Sequence, residues 1–217
     1  MAGWVAGLTI GLAALSASVT ATAPEAARPV RPLLERVRSQ LAGRPGLRAE
    51  FDQVSEWAAL GEADTSRGTL AIATDGRFRL DYQRPRGHRI GCDGARVWTF
   101  VPEERQVIRA RVRQTSGWGE LFLGGFGDPL DSLVVPTVVP GWGPVARIAL
   151  RPRPEWDLTD LQVEVAVDRA LPVGYGYTDR DGNRIRFHFR EAHLVPSFPD
   201  TLFRFRVPPG YELFETD

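Results

Sequence analysis

The sequence predicts a mainly β (α+β) protein: one curved antiparallel sheet of about nine to eleven strands, an unclosed half-barrel with a lid of short α-helices. Three observations carry that expectation. Apolar residues recur at period two in many short runs, as in Phe78, Leu80 and Tyr82 against Arg79 and Asp81. Asp-Gly pairs separate alternating runs, at Asp93-Gly94 and again at Asp181-Gly182, which is a strong hairpin signal. Helical periodicity is rare, so a single long sheet must curl to bury its apolar face.

The chain has 217 residues, which suits one domain with a sizeable core. Its formal net charge is zero, so no basic field exists to gather nucleic acid. All 27 basic residues are Arg, which reads as a compositional bias rather than a device for bidentate pairing. The lone Cys92 cannot form an internal disulfide, and a catalytic thiol would need a base that the neighbouring His88 supplies only weakly. Cys92 therefore reads as a small buried hydrophobe.

Residues 1–23 read as a signal peptide. Trp4 to Val19 is apolar but shorter than the about 20 residues of a membrane span, and small residues follow it to Ala23. An uncleaved anchor is the alternative. No Cys follows the apolar run, which excludes lipid attachment there. Residues 24–32, rich in Ala, Pro and Arg, form a leader expected to be mobile. Residues 33–217 form a single domain.

Pro32 is expected to open a helix over Leu33 to Leu41, with Leu33, Leu34, Val37 and Leu41 in one stripe and Gly43 beyond its end. Gly46 to Trp57 reads as a strand, and Leu60 to Ser66 as a polar connector. Gly68 to Pro102 then holds three or more strands. Gln106 to Arg113 is a strand whose three arginines mark either a solvated face or, less favoured, an anion patch. Between Thr115 and Val139 the alternation fails. Short helices at Glu120 to Leu123 and Pro129 to Val134 fit better, either as a lid or as an ordinary covering loop. Strands follow at Val145 to Arg151, Leu161 to Val167, Pro172 to Tyr177, Asn183 to Arg190 and Leu202 to Val207, with a last edge at Tyr211 to Phe214.

Chemistry is sparse. His88, His188 and His193 fall in no metal spacing, no phosphate loop or dinucleotide fingerprint occurs, and no nucleophile stands beside a base. The expectation is a binding protein and not an enzyme, with no catalytic residue, metal or cofactor. An apolar concave wall with a lid suits a greasy ligand. Each buried CH₂ of such a ligand is worth about 0.8 kcal/mol.

At this point the residues resemble the LolA family of periplasmic lipoprotein carriers, over roughly Leu33 to Phe214. The resemblance rests on the first helix followed by Phe51-Asp52-Gln53, then Gly68-Thr69-Leu70, and then Phe78-Arg79-Leu80-Asp81-Tyr82 with Pro85. Asp93-Gly94 with Val97-Trp98 and Pro102, Leu121-Phe122-Leu123, Gly182-Asn183 and Phe203-Arg204-Phe205 with Pro208-Pro209-Gly210 complete it. It implies a hydrophobic cavity that shields acyl chains of lipoproteins in the periplasm. It also implies a monomer that takes cargo from an inner-membrane lipoprotein-releasing transporter and gives it to an outer-membrane acceptor. A divergent carrier of another lipid or glycolipid, or an envelope-stress lipid sensor of the same fold, is the alternative. The expected cavity wall is Phe51, Leu70, Ile72, Phe78, Leu80, Tyr82, Trp98 and Phe100. The expected lid is Leu34, Val37, Leu41, Phe122, Leu123, Phe126 and Leu133. The sequence departs from the family at Thr74-Asp75, where carriers commonly have an Arg-Pro whose Arg helps hold the lid closed. It departs again at Leu80, where they have an aromatic.

Overall fold

The computed structural model describes residues 30–44, 46–112, 134–138, 144–152 and 157–216. The expected signal peptide, the first part of the leader and the lid residues Phe122, Leu123, Phe126 and Leu133 lie outside them, as does most of the segment expected to hold the lid helices. Helix α1 spans Val30–Leu41. The strands are β1 (Gly46–Trp57), β2 (Glu62–Ala73), β3 (Phe78–Arg84), β4 (Arg89–Cys92), β5 (Arg96–Val101), β6 (Gln106–Arg111), β7 (Val134–Val138), β8 (Val145–Leu150), β9 (Leu158–Ala166), β10 (Leu171–Asp179), β11 (Arg184–Val195) and β12 (Glu212–Thr216).

All twelve belong to one sheet in the order β12-β6-β5-β4-β3-β2-β1-β11-β10-β9-β8-β7. Two meanders, β1 to β6 and β7 to β11, join where β11 pairs antiparallel with β1. Strands β1 to β11 are antiparallel throughout, and β12 adds one strand parallel to β6. The two ends of the order do not meet, so the half-barrel is unclosed.

One face of the sheet carries the core. Leu47, Ala49 and Phe51 of β1 share it with Leu70 and Ile72 of β2, Phe78 and Leu80 of β3, Val163 and Val165 of β9, and Phe187 and Phe189 of β11. Helix α1 lies on this inner face through Leu33, Leu34, Val37 and Leu41, all buried, while Arg31, Glu35, Arg38 and Ser39 point outward. The helix begins at Val30, earlier than the sequence suggested, so the last residues of the expected leader are helical. Pro32 is tolerated because first-turn N–H groups have no acceptor within the helix. Gly43, at φ +70°, lets the chain leave the helix in a left-handed turn.

Three local expectations are corrected. Strand β2 starts at Glu62, inside the expected connector, because β1 and β2 stay paired out to Trp57 opposite Glu62. Its first residues are exposed on both faces, which erases any apolar alternation. Leu202 to Val207 is not a strand. It belongs to the 196–211 segment, which packs side chains onto the outer face of the sheet: Phe203 against Ala71 and Ala73, Phe205 against Trp98 and Phe100. The last edge does form, at Glu212–Thr216. Finally, Val134 opens β7 rather than ending a helix.

Arginines finish the outer face. The guanidinium groups of Arg48, Arg77, Arg89 and Arg109 lie over the rings of Phe198, Phe203, Phe100 and Trp98, at 5.4, 5.0, 5.4 and 4.9 Å. Arg109 also pairs with Glu215 of β12, directly opposite it. The β6 arginine face is thus partly a packing surface, beyond the solvated face its charges suggested. Cys92 is buried on the inner face, as expected of a structural thiol, and burial raises its pKa.

On the outer face Asp81 accepts from Arg79 Nε at 2.6 Å and from Arg89 Nε at 2.6 Å, tying β3 to β4. Burial pushes this carboxyl up, but the two guanidinium groups outweigh it and hold the pKa below the ordinary value. A depressed carboxylate stabilises the fold above its unfolded pKa of about 4, and that stabilisation is lost as pH falls through the folded pKa. Asp81→Asn is therefore expected to cost about 1 kcal/mol at pH 7, a modest value because the site is partly solvated. The difference from wild type should shrink in urea titrations run below pH 4. A gap that stays constant down to pH 2 contradicts this account.

Candidate functional site: the inner wall of the half-barrel

The wall residues named from sequence separate into two groups. Phe51, Leu70, Ile72, Phe78, Leu80 and Tyr82 come together on the inner face, in one cluster with Leu34, Val37 and Leu41 of the helix. Trp98 and Phe100 do not. They face outward, in a separate cluster with Val107, Phe205, Val207 and Tyr211. The reason is strand phase. Phe78 pairs with Cys92 and Cys92 with Val97, so Val97 and Thr99 look inward and their neighbours look out. Trp98 is fixed there by its indole N–H, which donates to Asp93 at 2.8 Å.

Sequence reasoning missed the other half of the wall. Tyr175 stacks on Phe187 at 4.9 Å and on Tyr177 at 6.1 Å. Phe187 reaches Phe51 at 5.5 Å, and Phe51 meets Tyr82 edge-on at 5.1 Å. An aromatic band therefore crosses β3, β1, β11 and β10. The available signal was the run Gly174-Tyr175-Gly176-Tyr177, in which each large ring alternates with a glycine. Gly68 makes the Phe51–Tyr82 contact possible. It lies between them on β2, and a Cβ there would stand 2.1 Å from the Asp81 carbonyl oxygen and 3.0 Å from the Phe51 ring.

The two ends of the half-barrel differ. Helix α1 spans the end where β1 begins. Arg36 donates to the Asp168 carbonyl in the β9–β10 turn at 3.2 Å, and Thr74 of the β2–β3 turn donates to the Arg44 carbonyl just after the helix at 3.2 Å. At the opposite end the β1–β2 and β10–β11 turns are joined, Ala58 N–H donating to Asn183 Oδ1 at 3.1 Å. Toward that end the wall turns partly polar. Tyr82 donates to Gln53 Oε1 at 2.8 Å, and Gln53 Nε2 donates to Ser55 Oγ at 2.9 Å. Burial raises the Tyr82 and Tyr177 phenols, so both remain neutral hydroxyls. What this face can do chemically is exclude water from apolar chains and offer a few hydrogen bonds. Among the described residues, no group of three metal-ligating side chains is found, and no helix is long and apolar enough to cross a membrane.

Comparison with known proteins agrees with this geometry. The profile of the family described as "Outer membrane lipoprotein carrier protein LolA" matches residues 44–206, from the end of the helix to the segment covering the outer face.

The chain belongs to this family.

Relatives named outer-membrane lipoprotein carrier protein include one from Chromobacterium violaceum, 23% identical over 205 residues, which are 94% of this chain and 95% of that one. Another, from Xanthomonas axonopodis pv. citri, is 27% identical over 183 residues, 79% of this chain and 82% of its own. Among solved structures, an uncharacterized conserved protein from Thermus thermophilus shares the fold with a TM-score of 0.50 at 12% identity, covering 86% of this chain and 99% of the other. Within the LolA frame, the departure at Thr74-Asp75 has a local structure of its own. Thr74 fastens the turn to the chain beyond the helix, and Asp75 accepts from the Arg77 backbone at 3.1 Å and from its guanidinium.

Proposed function

We propose that this protein is an exported carrier that shields the acyl chains of lipoproteins during transit through the periplasm. It would take them from an inner-membrane lipoprotein-releasing transporter and pass them to an outer-membrane acceptor, acting by binding and release without turnover. The observation that carries this reading is the inner face: one unclosed sheet whose wall is apolar and aromatic across β3, β1, β11 and β10, with an amphipathic helix over one end. Family membership supports lipoproteins as the cargo class. Phe51, Leu70, Ile72, Phe78, Leu80 and Tyr82 form the proposed acyl-contacting wall, and Leu34, Val37 and Leu41 the proposed helical cover. The apolar stretch Trp4 to Val19 supports export.

A second reading, a divergent carrier of another lipid or glycolipid, is favoured by the β2–β3 turn. There Thr74 bonds the Arg44 carbonyl where carriers of the family place an Arg. Periplasmic expression of the full chain, followed by mass spectrometry of the co-purifying material and titration with a fluorescent acyl probe, tests both. Diacylglyceryl-modified protein in the purified sample supports lipoprotein carriage, and a bound free lipid supports the second reading. Purified protein with no lipid and no probe uptake refutes both.

A further inference from the structure

From the inner face we infer that Gln53, Ser55 and Tyr82 form a polar bracket within the acyl-binding wall, one that hydrogen-bonds the ester carbonyls of a diacylglyceryl group. This inference rests on the carrier reading and names the part of the cargo that is recognised.

The position of the bracket is unusual. Strand β1 lies between β2 and β11 in the interior of the sheet, and its inward residues begin Leu47, Ala49, Phe51. The same row continues with Gln53 and Ser55, the latter only 5% exposed. Opposite them on β11 stand Phe187 and Ile185, and beyond those on β10 Tyr175 and Tyr177. Polar groups in such a place cost stability unless they are hydrogen-bonded, and a wall built only to hold hydrocarbon has no use for them.

The direction of the hydrogen bonds indicates the ligand. Tyr82 donates to the amide oxygen of Gln53 at 2.8 Å, so that acceptor is engaged. The Gln53 amide spends one N–H on Ser55 Oγ at 2.9 Å. A second amide N–H and the Ser55 hydroxyl proton remain to be given. The bracket is therefore oriented to donate, which suits a ligand that only accepts. Charge narrows the class further. The inward neighbours across β11 and β10 are uncharged, and the ionisable side chain directly opposite Ser55 on β2 is Asp64, an acid held by the Trp57 indole N–H at 2.9 Å. A carboxylate or phosphate would meet this acid, whereas a neutral ester carbonyl would not be repelled. Geometry agrees. Tyr82 is level with Phe51 and Gln53 with Phe187, and Ser55 lies beyond both, away from α1. Chains lying on those rings would bring a glyceryl ester to its level.

The test uses the purified full-length chain and two synthetic lipopeptides of the same peptide. One carries a dipalmitoylglyceryl group, and the other the matched dihexadecyl ether that lacks the carbonyls. Displacement of a fluorescent acyl probe gives both affinities. The expected result is an ester-over-ether preference of about five- to ten-fold in the wild type, from one or two neutral hydrogen bonds. That preference should fall to near one in Ser55→Ala and in the double variant Gln53→Met with Tyr82→Phe. Equal wild-type affinities for the two lipopeptides would overturn the bracket while leaving the carrier reading intact, and this comparison needs no variant to fold. A preference that survives in both variants would overturn it as well. Failure of the wild type to bind either lipopeptide would overturn both the bracket and the carrier reading.

Discussion

Phe51→Ala is expected to lower the stability of the fold by about 3 to 5 kcal/mol. Phe51 is fully buried at the middle of β1, the strand that joins the two meanders. Its ring contacts Tyr82 edge-on at 5.1 Å and Phe187 at 5.5 Å, so truncation removes two aromatic contacts as well as the buried area. The surroundings cannot collapse to fill the space. Gly68 on one side has no side chain to move in, and Phe189 on the other belongs to a paired strand. Urea unfolding followed by far-UV circular dichroism measures the effect. A loss below about 1 kcal/mol would show that the wall is loosely packed at its centre and that this account of the core is wrong.

Gly68→Ala is expected to cost about 3 kcal/mol, the opposite sign from the usual gain when an unstrained glycine is replaced. The backbone at Gly68 is not in the left-handed region. The problem is space. The added Cβ would stand 2.1 Å from the Asp81 carbonyl oxygen, and that oxygen is fixed by the β2–β3 ladder next to a register shift between Arg67 and Gly68. Relief requires the strands to part, which also separates Phe51 from Tyr82. The same denaturation experiment reads the loss, and near-UV circular dichroism reads the disturbed tyrosine environment. A variant as stable as wild type, with an unchanged aromatic spectrum, would mean that β3 can shift without penalty.

Much of the fold is legible in the residues because one face of most strands meets water. In β11, Ile185, Phe187 and Phe189 alternate with exposed Arg184, Arg186, His188 and Arg190, and the period-two pattern names the buried side without ambiguity. The same holds for the stripe of α1 and for the turn at Asp181-Gly182. Legibility fails where both faces of a strand are covered. On β5, Val97 packs inward while Trp98 and Phe100 pack outward, and nothing within Arg96–Val101 distinguishes the two sides. The face that Trp98 and Phe100 occupy is set by the pairing of β5 with β4 and is covered by Phe205, more than a hundred residues later in the chain. Its ring sits where a side chain at Gly91 would be, a Cβ there falling 2.1 Å from the ring. The Leu202 to Val207 run misleads for the same reason: its alternation is real, but it serves side-chain packing onto a finished sheet rather than a ladder.

The candidate site divides along the same line. The apolar wall of β1 to β3 could be named from sequence, since alternation and the family resemblance coincide there. The Gly174-Tyr175-Gly176-Tyr177 run marked the tyrosines of β10, whereas the hydrogen bond from Tyr82 to Gln53 could not be read from sequence, because it joins two different strands. By itself the sequence determined most of the strands, the amphipathic helix and the family, all of which depend on local period and local turn chemistry. Only the tertiary structure decided which side of β5 looks into the half-barrel and which polar groups meet within it. Those outcomes depend on contacts between residues distant in the chain, where a side chain's surroundings are set by strand register rather than by its neighbours in sequence.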